Sequence, residues 1–321
     1  MRTNSPDVRT ILKASAGGTT RQRVAGGRIK ELRLPLPPLS EQRRIVAKLD
    51  ALTARLTRAR AELDRMPRLV HKLRTCALAT AFDNSFSVKQ LNELSTFITS
   101  GSRGWAQFYS ESGPAFIRVG DVRRGDIHLD TSELQRVQPP IGAEGNRTAA
   151  QPGDLVVTIT ADLGRVGIVP KTLGPAFVNQ HVALVRLTDQ TNAKWIAWYL
   201  CSEDGQRQLL SKDRGVTKAG LGLDDIRNVL IPIADAEDQE KIVKGIEAAF
   251  ARADRLEAKA ARSKKLLDRL ESTILTKAFK GELVPQDPND EPATQLLDRI
   301  RAQRATNVAG KTQRGRTIRA A

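Results

Sequence analysis

The sequence predicts an α+β fold: a loop-rich, strand-bearing domain set in the chain between two long helices that pair as an antiparallel coiled coil. Three observations predict it. They are a gapless internal repeat, a 3.5-residue apolar stripe in each copy of that repeat, and a series of short β-like runs between the copies.

The repeat has an offset of 197 residues and runs over about 70 residues, from Leu12 to Phe82 in the first copy. Ile29–Val46 (IKELRLPLPPLSEQRRIV) lies over Ile226–Val243 (IRNVLIPIADAEDQEKIV), with Pro35/Pro232, Gln42/Gln239, Ile45/Ile242 and Val46/Val243 in register. The match continues through Leu69/Leu266, Leu73/Leu270 and Phe82/Phe279. Two unrelated helices would not also share a strand-and-proline lead-in.

Steps of four and three then place Ile45, Leu49, Leu52, Leu56, Ala59, Leu63, Met66, Val70, Leu73 and Ala77 on one stripe. The second copy offers Ile242, Ile246, Ala249, Ala253, Leu256, Ala260, Ser263, Leu267, Leu270 and Ile274. Each helix would be roughly 55–60 Å long at 1.5 Å per residue, too long for an ordinary globular core. Antiparallel pairing sets the large Leu63, Val70 and Leu73 against the small Ala260, Ala253 and Ala249, which keeps the seam filled. Pro67 removes one backbone donor, and a kink is expected there.

Between the copies, β-like runs occur at Ala115–Val122, Asp154–Thr160, Gly164–Pro170 and Ala176–Leu187. Ser112-Gly113-Pro114, Gln151–Asp154 and Leu173-Gly174-Pro175 separate them as turns. A helix is expected at about Asn192–Leu210, with Trp195, Ile196, Trp198, Tyr199 and Leu200 partly buried. The expected divisions are 1–28, a remnant of an earlier copy of this domain; 29–84, lead-in and first helix; 85–225, the complete domain; 226–281, second lead-in and helix; and 282–321, a basic, partly disordered tail. The remnant is assigned because Leu12–Arg28 lies over Leu209–Asp225.

The chain of 321 residues is 40% hydrophobic and 27% charged, enough apolar content for a core. No run approaches the roughly 20 apolar residues of a membrane span. Two cysteines, Cys76 and Cys201, exclude a disulfide framework, and a cytoplasmic location is expected. The formal net charge of +16 points to a polyanionic partner. That charge sits at the two ends and in the first helix, while residues 85–225 sum to zero, so nucleic-acid contacts in the domain must come from local placement.

Taken together, PLPPLSEQRRIVAKLD, GDLVVT, VNQHVALVRL and the tail AFKGELVPQDPNDEPATQLL make the chain resemble the specificity subunits of type I restriction-modification systems, over nearly its whole length. The resemblance implies target-recognition domains that each read one half of a split site in double-stranded DNA, held by paired helices. It implies methyltransferase subunits and a motor-nuclease subunit as partners, which would use S-adenosylmethionine, ATP and Mg; no cofactor would be bound by this chain itself. The chain departs from the pattern in its first recognition domain, reduced to 1–28, and in its second lead-in, where IPIADAEDQ replaces LPLPPLSEQ. The chain is therefore expected to be truncated or half-length, and to pair with a second copy or a complementing specificity chain. The rival reading is a protein-interaction scaffold of such a complex without independent DNA recognition.

Catalytic motifs are lacking. Gly310-Lys311-Thr312 has Ala305 where a phosphate loop needs its first glycine. His71, His128 and His181 show no ligand spacing, and no metal site is expected. Arg and Lys suit guanine edges, and Asn and Gln suit adenine. On that basis the DNA-contact candidates are Ser100, Ser102 and Arg103; Arg118, Arg123 and Arg124; Thr160 and Arg165; Asn179, Gln180 and His181; and Lys212, Arg214 and Lys218.

Overall fold

Among the described residues, two long helices and ten strands frame the structure. The computed structural model describes residues 36–82, 86–101, 103–139, 142–210 and 220–317, with side chains as far as 305. The remnant expected at 1–28 lies outside the described residues. In chain order the elements are α1 (Leu39–Ala79), β1 (Ser87–Gln90), β2 (Ser95–Ser100), β3 (Tyr109–Ile117), β4 (Gln135–Val137), α2 (Ala143–Thr148), β5 (Ala149–Ala150), β6 (Leu155–Thr158) and β7 (Val166–Ile168). They continue as β8 (Ala176–Val178), β9 (Val182–Leu187), α3 (Ala193–Cys201), α4 (Glu203–Leu210), α5 (Leu223–Arg227), β10 (Leu230–Ile233), α6 (Ala236–Lys280) and α7 (Ala293–Thr317). The chain forms two units, Met1–Pro67 with Glu257–Ala321, and Arg68–Leu256.

In the first unit the two helices run antiparallel. Arg60 binds Asp268 and Glu271 at 2.6 and 2.7 Å, and Asp64 binds Lys264 at 2.5 Å, so numbers rise on one helix as they fall on the other. Along these helices Ile45, Leu56, Ala260 and Ile274 are buried, and Leu49, Leu52, Leu63 and Leu267 half-buried. Leu270 departs from the expected seam: it is 48% exposed, and the half-buried residue of that turn is Glu271. Leu267 and Ile274 on either side stay inward, so the change is local to this turn, where Glu271 is held against α1 by its ion pair with Arg60. α1 also continues through Pro67, whose ring is exposed.

Each lead-in closes its helix the same way. Gln42 donates its side-chain amide to the Pro37 carbonyl at 2.8 Å, and the matching Gln239 donates to Ala234 at 2.9 Å. Gly281, with φ +74°, ends α6, and the Glu282 N–H reaches back to the Lys277 carbonyl. The following tail returns to the start of α1, where Asp290 accepts from Ser40 (2.5 Å) and Arg44 (2.6 Å). Part of the tail expected to be disordered forms α7; the stretch from Ala293 to Arg304 contains no Gly or Pro to interrupt a helix.

The second unit holds the sheets. One has the order β2-β9-β6-β7 and is antiparallel; another, β4-β3-β8-β5, contains the parallel pair β3–β8; β1 pairs with β10. β6 and β9 are covered on both faces. Leu155, Val157, Ala183, Val185 and Leu187 share a core with Trp195, Ile196 and Trp198 of α3, while Val156, Val182 and Leu184 pack with Ala115, Ile117, Ala176 and Val178 of the other sheet. Two-sided burial is why LVVT and VALVRL are apolar runs rather than alternating ones.

Several expected elements are subdivided. The run Ala115–Val122 is strand only to Ile117, then a 3-10 turn at Val119–Asp121, closed by the Arg118 N–H donating to the Asp121 carboxylate at 2.7 Å. The expected turn Ser112–Pro114 lies inside β3, where the pairing with β4 shifts register between Ser110 and Ala115. Ala176–Leu187 is two strands in different sheets. The helix at 192–210 breaks at Ser202, and its two tryptophans are fully buried: Trp195 lies edge-on to Phe82 at 4.9 Å and donates to the Pro232 carbonyl at 2.7 Å.

The seam is tested by the double substitution Leu56→Asp and Leu63→Asp. Loss of the Leu56 side chain alone costs about 2–5 kcal/mol, and a buried unpaired charge adds to that. Far-ultraviolet circular dichroism is expected to show reduced helicity and a lowered Tm; an unchanged melt contradicts the coil.

Candidate nucleic-acid interface

Four loops and one short segment of the second unit meet at the ends of the strands. The Asn179 N–H donates to the Ile117 carbonyl at 3.0 Å, joining the loop after β8 to the turn after β3. Thr160, after β6, is hydrogen bonded to His181. The Leu221 N–H donates to Ile159 at 2.9 Å. Gly101, after β2, lies so close to the Val178 and Asn179 backbone that a Cβ there would fall 2.1 Å from the Val178 carbonyl oxygen, so only glycine fits. Residues far apart in the sequence thus share one surface.

The turn between β6 and β7 is tightly wound. The Thr158 hydroxyl donates to the Asp162 carbonyl at 2.5 Å and accepts from the Arg165 N–H at 2.9 Å. Ala161 has φ +66°, a left-handed conformation that is strained for a residue with a Cβ.

The structure brings ten of the predicted contact residues into this region and separates their roles. Arg123 and Arg124 are exposed; Arg123 lies 3.5 Å from Asp130, and Arg124 pairs with Asp162. Arg118 is 38% exposed and 3.8 Å from Asp121. Arg165 is tied down: it binds Asp162, and its Nη1 donates to the Val122 carbonyl at 2.9 Å, so it holds two loops together. Arg103 is exposed beside Gly104, which has φ +81°. Ser100 offers its carbonyl to Arg147 at 2.7 Å. Asn179 Oδ1 accepts from the His181 N–H at 3.0 Å, and Gln180 Nε2 donates to His181 Nε2 at 2.8 Å. Ser102, Lys212, Arg214 and Lys218 lie outside the described residues.

Carboxylates temper this surface. Burial pushes the Asp121 carboxyl above the usual range, against the backbone N–H of Arg118. The hydroxyl and N–H of Ser132 hold Asp130 below it. Most of these arginines therefore already have an acidic neighbour, and any phosphate or base they meet replaces or shares that partner.

Sequence reasoning missed three residues here. Tyr109 is 43% exposed and, with Trp105, Phe116 and Asn179–His181, lines a cavity of about 140 Å³. Trp105 is buried in an aromatic cluster with Phe108, Phe116 and Phe177. Arg147 braces the end of β2 through Thr99 (2.5 Å) and Ser100. The aromatic Gly104-Trp105 step after a glycine-flanked loop was the available signal. Among the described residues no group of His, Cys, Asp and Glu could hold a metal ion.

A mixed-sheet domain with converging polar loops, together with antiparallel helices, is the α+β architecture that the sequence resemblance implies. The family model for the type I restriction modification DNA specificity domain matches residues 8–63 and 139–264, more than half of the chain, and the chain belongs to that family. At the 197-residue offset the first match falls within the second, as the internal repeat requires. The chain is 27% identical to the type I restriction enzyme EcoBI specificity subunit of Escherichia coli over 96% of its own length and 72% of that protein. It is 25% identical to the EcoKI specificity subunit of Escherichia coli (strain K12), over 97% and 72%. Among solved structures, the HsdS subunit from Thermoanaerobacter tengcongensis aligns with TM-score 0.57 at 26% identity, covering 87% of this chain and 68% of that one. A chain from a study of complex assembly and conformational transition of the type I R-M system aligns with TM-score 0.70 at 26% identity, covering 87% and 69%.

Asp162 anchors both Arg124 and Arg165. Asp162→Ala leaves the half-buried Arg165 without its carboxylate and is expected to lower stability by about 1–3 kcal/mol. Urea unfolding checks this, with Arg123→Ala as a control expected to leave the midpoint unchanged.

Proposed function

We propose that the chain is the non-catalytic subunit that directs a type I restriction-modification complex to its DNA target. The convergence of Arg118, Arg123, Arg124, Thr160 and Asn179–His181 from separate loops carries this reading, together with the family. In it, exposed arginines position the domain on phosphates, and amide side chains read base edges. The methyltransferase and motor-nuclease subunits supply the chemistry with S-adenosylmethionine, ATP and Mg. The described residues hold one sheet-bearing domain, which suits one half-site; a second copy of the chain or a complementing specificity chain supplies the other.

A groove in the first unit suits a partner subunit. Leu36, Pro37, Ile45, Val46 and Leu49 line it with Ala278–Gly281, in a volume of about 440 Å³. Val46 is 55% exposed there, while Glu41 is only 3% exposed and one of its carboxylate oxygens has no hydrogen-bond partner. An apolar patch beside an unsatisfied buried acceptor is the surface a docking helix would complete.

Co-expression with a methyltransferase subunit and genome-wide mapping of methylated positions tests the function. Methylation confined to a split motif is expected, and methylation without sequence preference rejects recognition by this chain. Val46→Asp is expected to abolish co-purification of the methyltransferase; full retention removes the groove as its dock. The double substitution Arg123→Ala and Arg124→Ala is expected to weaken binding to all duplexes alike and to lower the salt slope by about one per lost phosphate contact.

A further inference from the structure

Gln180 stands at the crossing point where the chain leaves β8 in one sheet and enters β9 in the other. Its neighbours are pinned on both sides. The Asn179 N–H is bound to Ile117, the Asn179 side chain accepts from the His181 N–H, and the His181 carbonyl accepts from the Ile159 N–H at 2.9 Å. The Gln180 side chain is anchored as well. With Gln180 Nε2 donating to His181 Nε2, the His181 proton lies on Nδ1, where it is donated to the Thr160 hydroxyl.

This anchoring leaves two groups unused. Gln180 Oε1 is an acceptor and Asn179 Nδ2 a donor. Neither makes a hydrogen bond among the described residues, and neither is sealed from solvent. Both residues line the cavity of about 140 Å³ whose apolar walls are Trp105, Tyr109 and Phe116. Trp105 is 3% exposed, and its indole N–H has no hydrogen-bond partner. A fixed acceptor beside a fixed donor is the complement of the major-groove edge of adenine, which offers the N6 amine and N7. Groups already held in place lose little freedom on binding, so such a contact discriminates well.

We propose that Gln180 is a specificity-determining residue that reads an adenine in the half-site, with Asn179 as its companion donor and His181 and Thr160 as positioning residues. This assignment rests on the DNA-recognition function proposed above. Gln180→Glu keeps the size of the side chain but carries only acceptors, and so favours the N4 amine of cytosine. Gln180→Leu removes both polar atoms.

The test is selection of random duplexes by the full-length chain and by each variant, read by sequencing, with the Tm of each protein measured alongside. The parent is expected to select a motif containing adenine. Gln180→Leu is expected to lose preference at one adenine position, from about fivefold to about a hundredfold, with the rest of the motif kept. Gln180→Glu is expected to move that position toward cytosine, and Thr160→Val to broaden it. A parent motif that both Gln180 variants reproduce unchanged overturns the assignment while leaving DNA recognition intact. A parent that selects no motif overturns the recognition function and the assignment with it.

Discussion

Burial of both faces of the β2-β9-β6-β7 sheet is the constraint on which the second unit depends. Once α3 covers one face and β3 with β8 the other, β6 and β9 have no solvent side and must be apolar throughout. Their polar residues are thereby confined to strand ends. Thr160, Asp162 and Arg165 follow β6, and Asn179–His181 precede β9, so the apolar core itself gathers the polar side chains at one surface. A deeply buried charge beside this sheet follows the rule: Asp154 is fully buried and is paired with Arg186 at 2.7 Å, whose guanidinium also lies over Phe97 at 4.6 Å. A buried carboxylate persists only when paired and hydrogen bonded.

The same logic limits what the arginines do. In a domain with no net charge, Arg118, Arg123, Arg124 and Arg165 each have an acidic neighbour, and the degree of burial divides the roles. Arg165 is spent on holding loops, whereas Arg123 and Arg124 keep their heads in solvent. A surface of this kind has little long-range field, so in the proposed function selectivity would come from short-range hydrogen bonds with fixed geometry, the kind of contact that distinguishes base edges. The excess positive charge lies outside this domain, at the chain ends and in α1.

Much of this was legible in the sequence. The repeat revealed two equivalent helices, and matched glutamines at 42 and 239 make the same hydrogen bond in both lead-ins. Large residues opposite alanines indicated antiparallel pairing; the direction is as expected, but the Asp64–Lys264 and Arg60–Asp268 ion pairs set a register shifted from the one that places Leu63 against Ala260. The polar interruption at Asn179–His181 within an apolar run located the crossing between β8 and β9, where the neighbouring loops meet. Other features were hidden. Leu270 sits on the repeat's stripe yet turns outward while Ile274 stays buried, because Arg60 of α1 binds Glu271, a contact that the apolar pattern does not record. The strand at 115–122 ends early because Asp121 captures the Arg118 N–H, a contact as consistent with a turn as with a strand until the backbone is placed.

What the sequence by itself determined was the set of elements and their kinds: helix period, strand runs, turn residues, and the repetition that pairs one helix with the other. These follow from local sterics and from the spacing of apolar side chains, both written along the chain. What only the tertiary structure decided was which polar residues become neighbours. Thr160 meets His181, Arg124 meets Asp162 38 residues away, and Tyr109 joins the wall of the cavity beside Gln180 because the order of strands in the sheets brings their ends together. That order is set by how three layers bury one another, a property of the packed core as a whole that no single segment encodes.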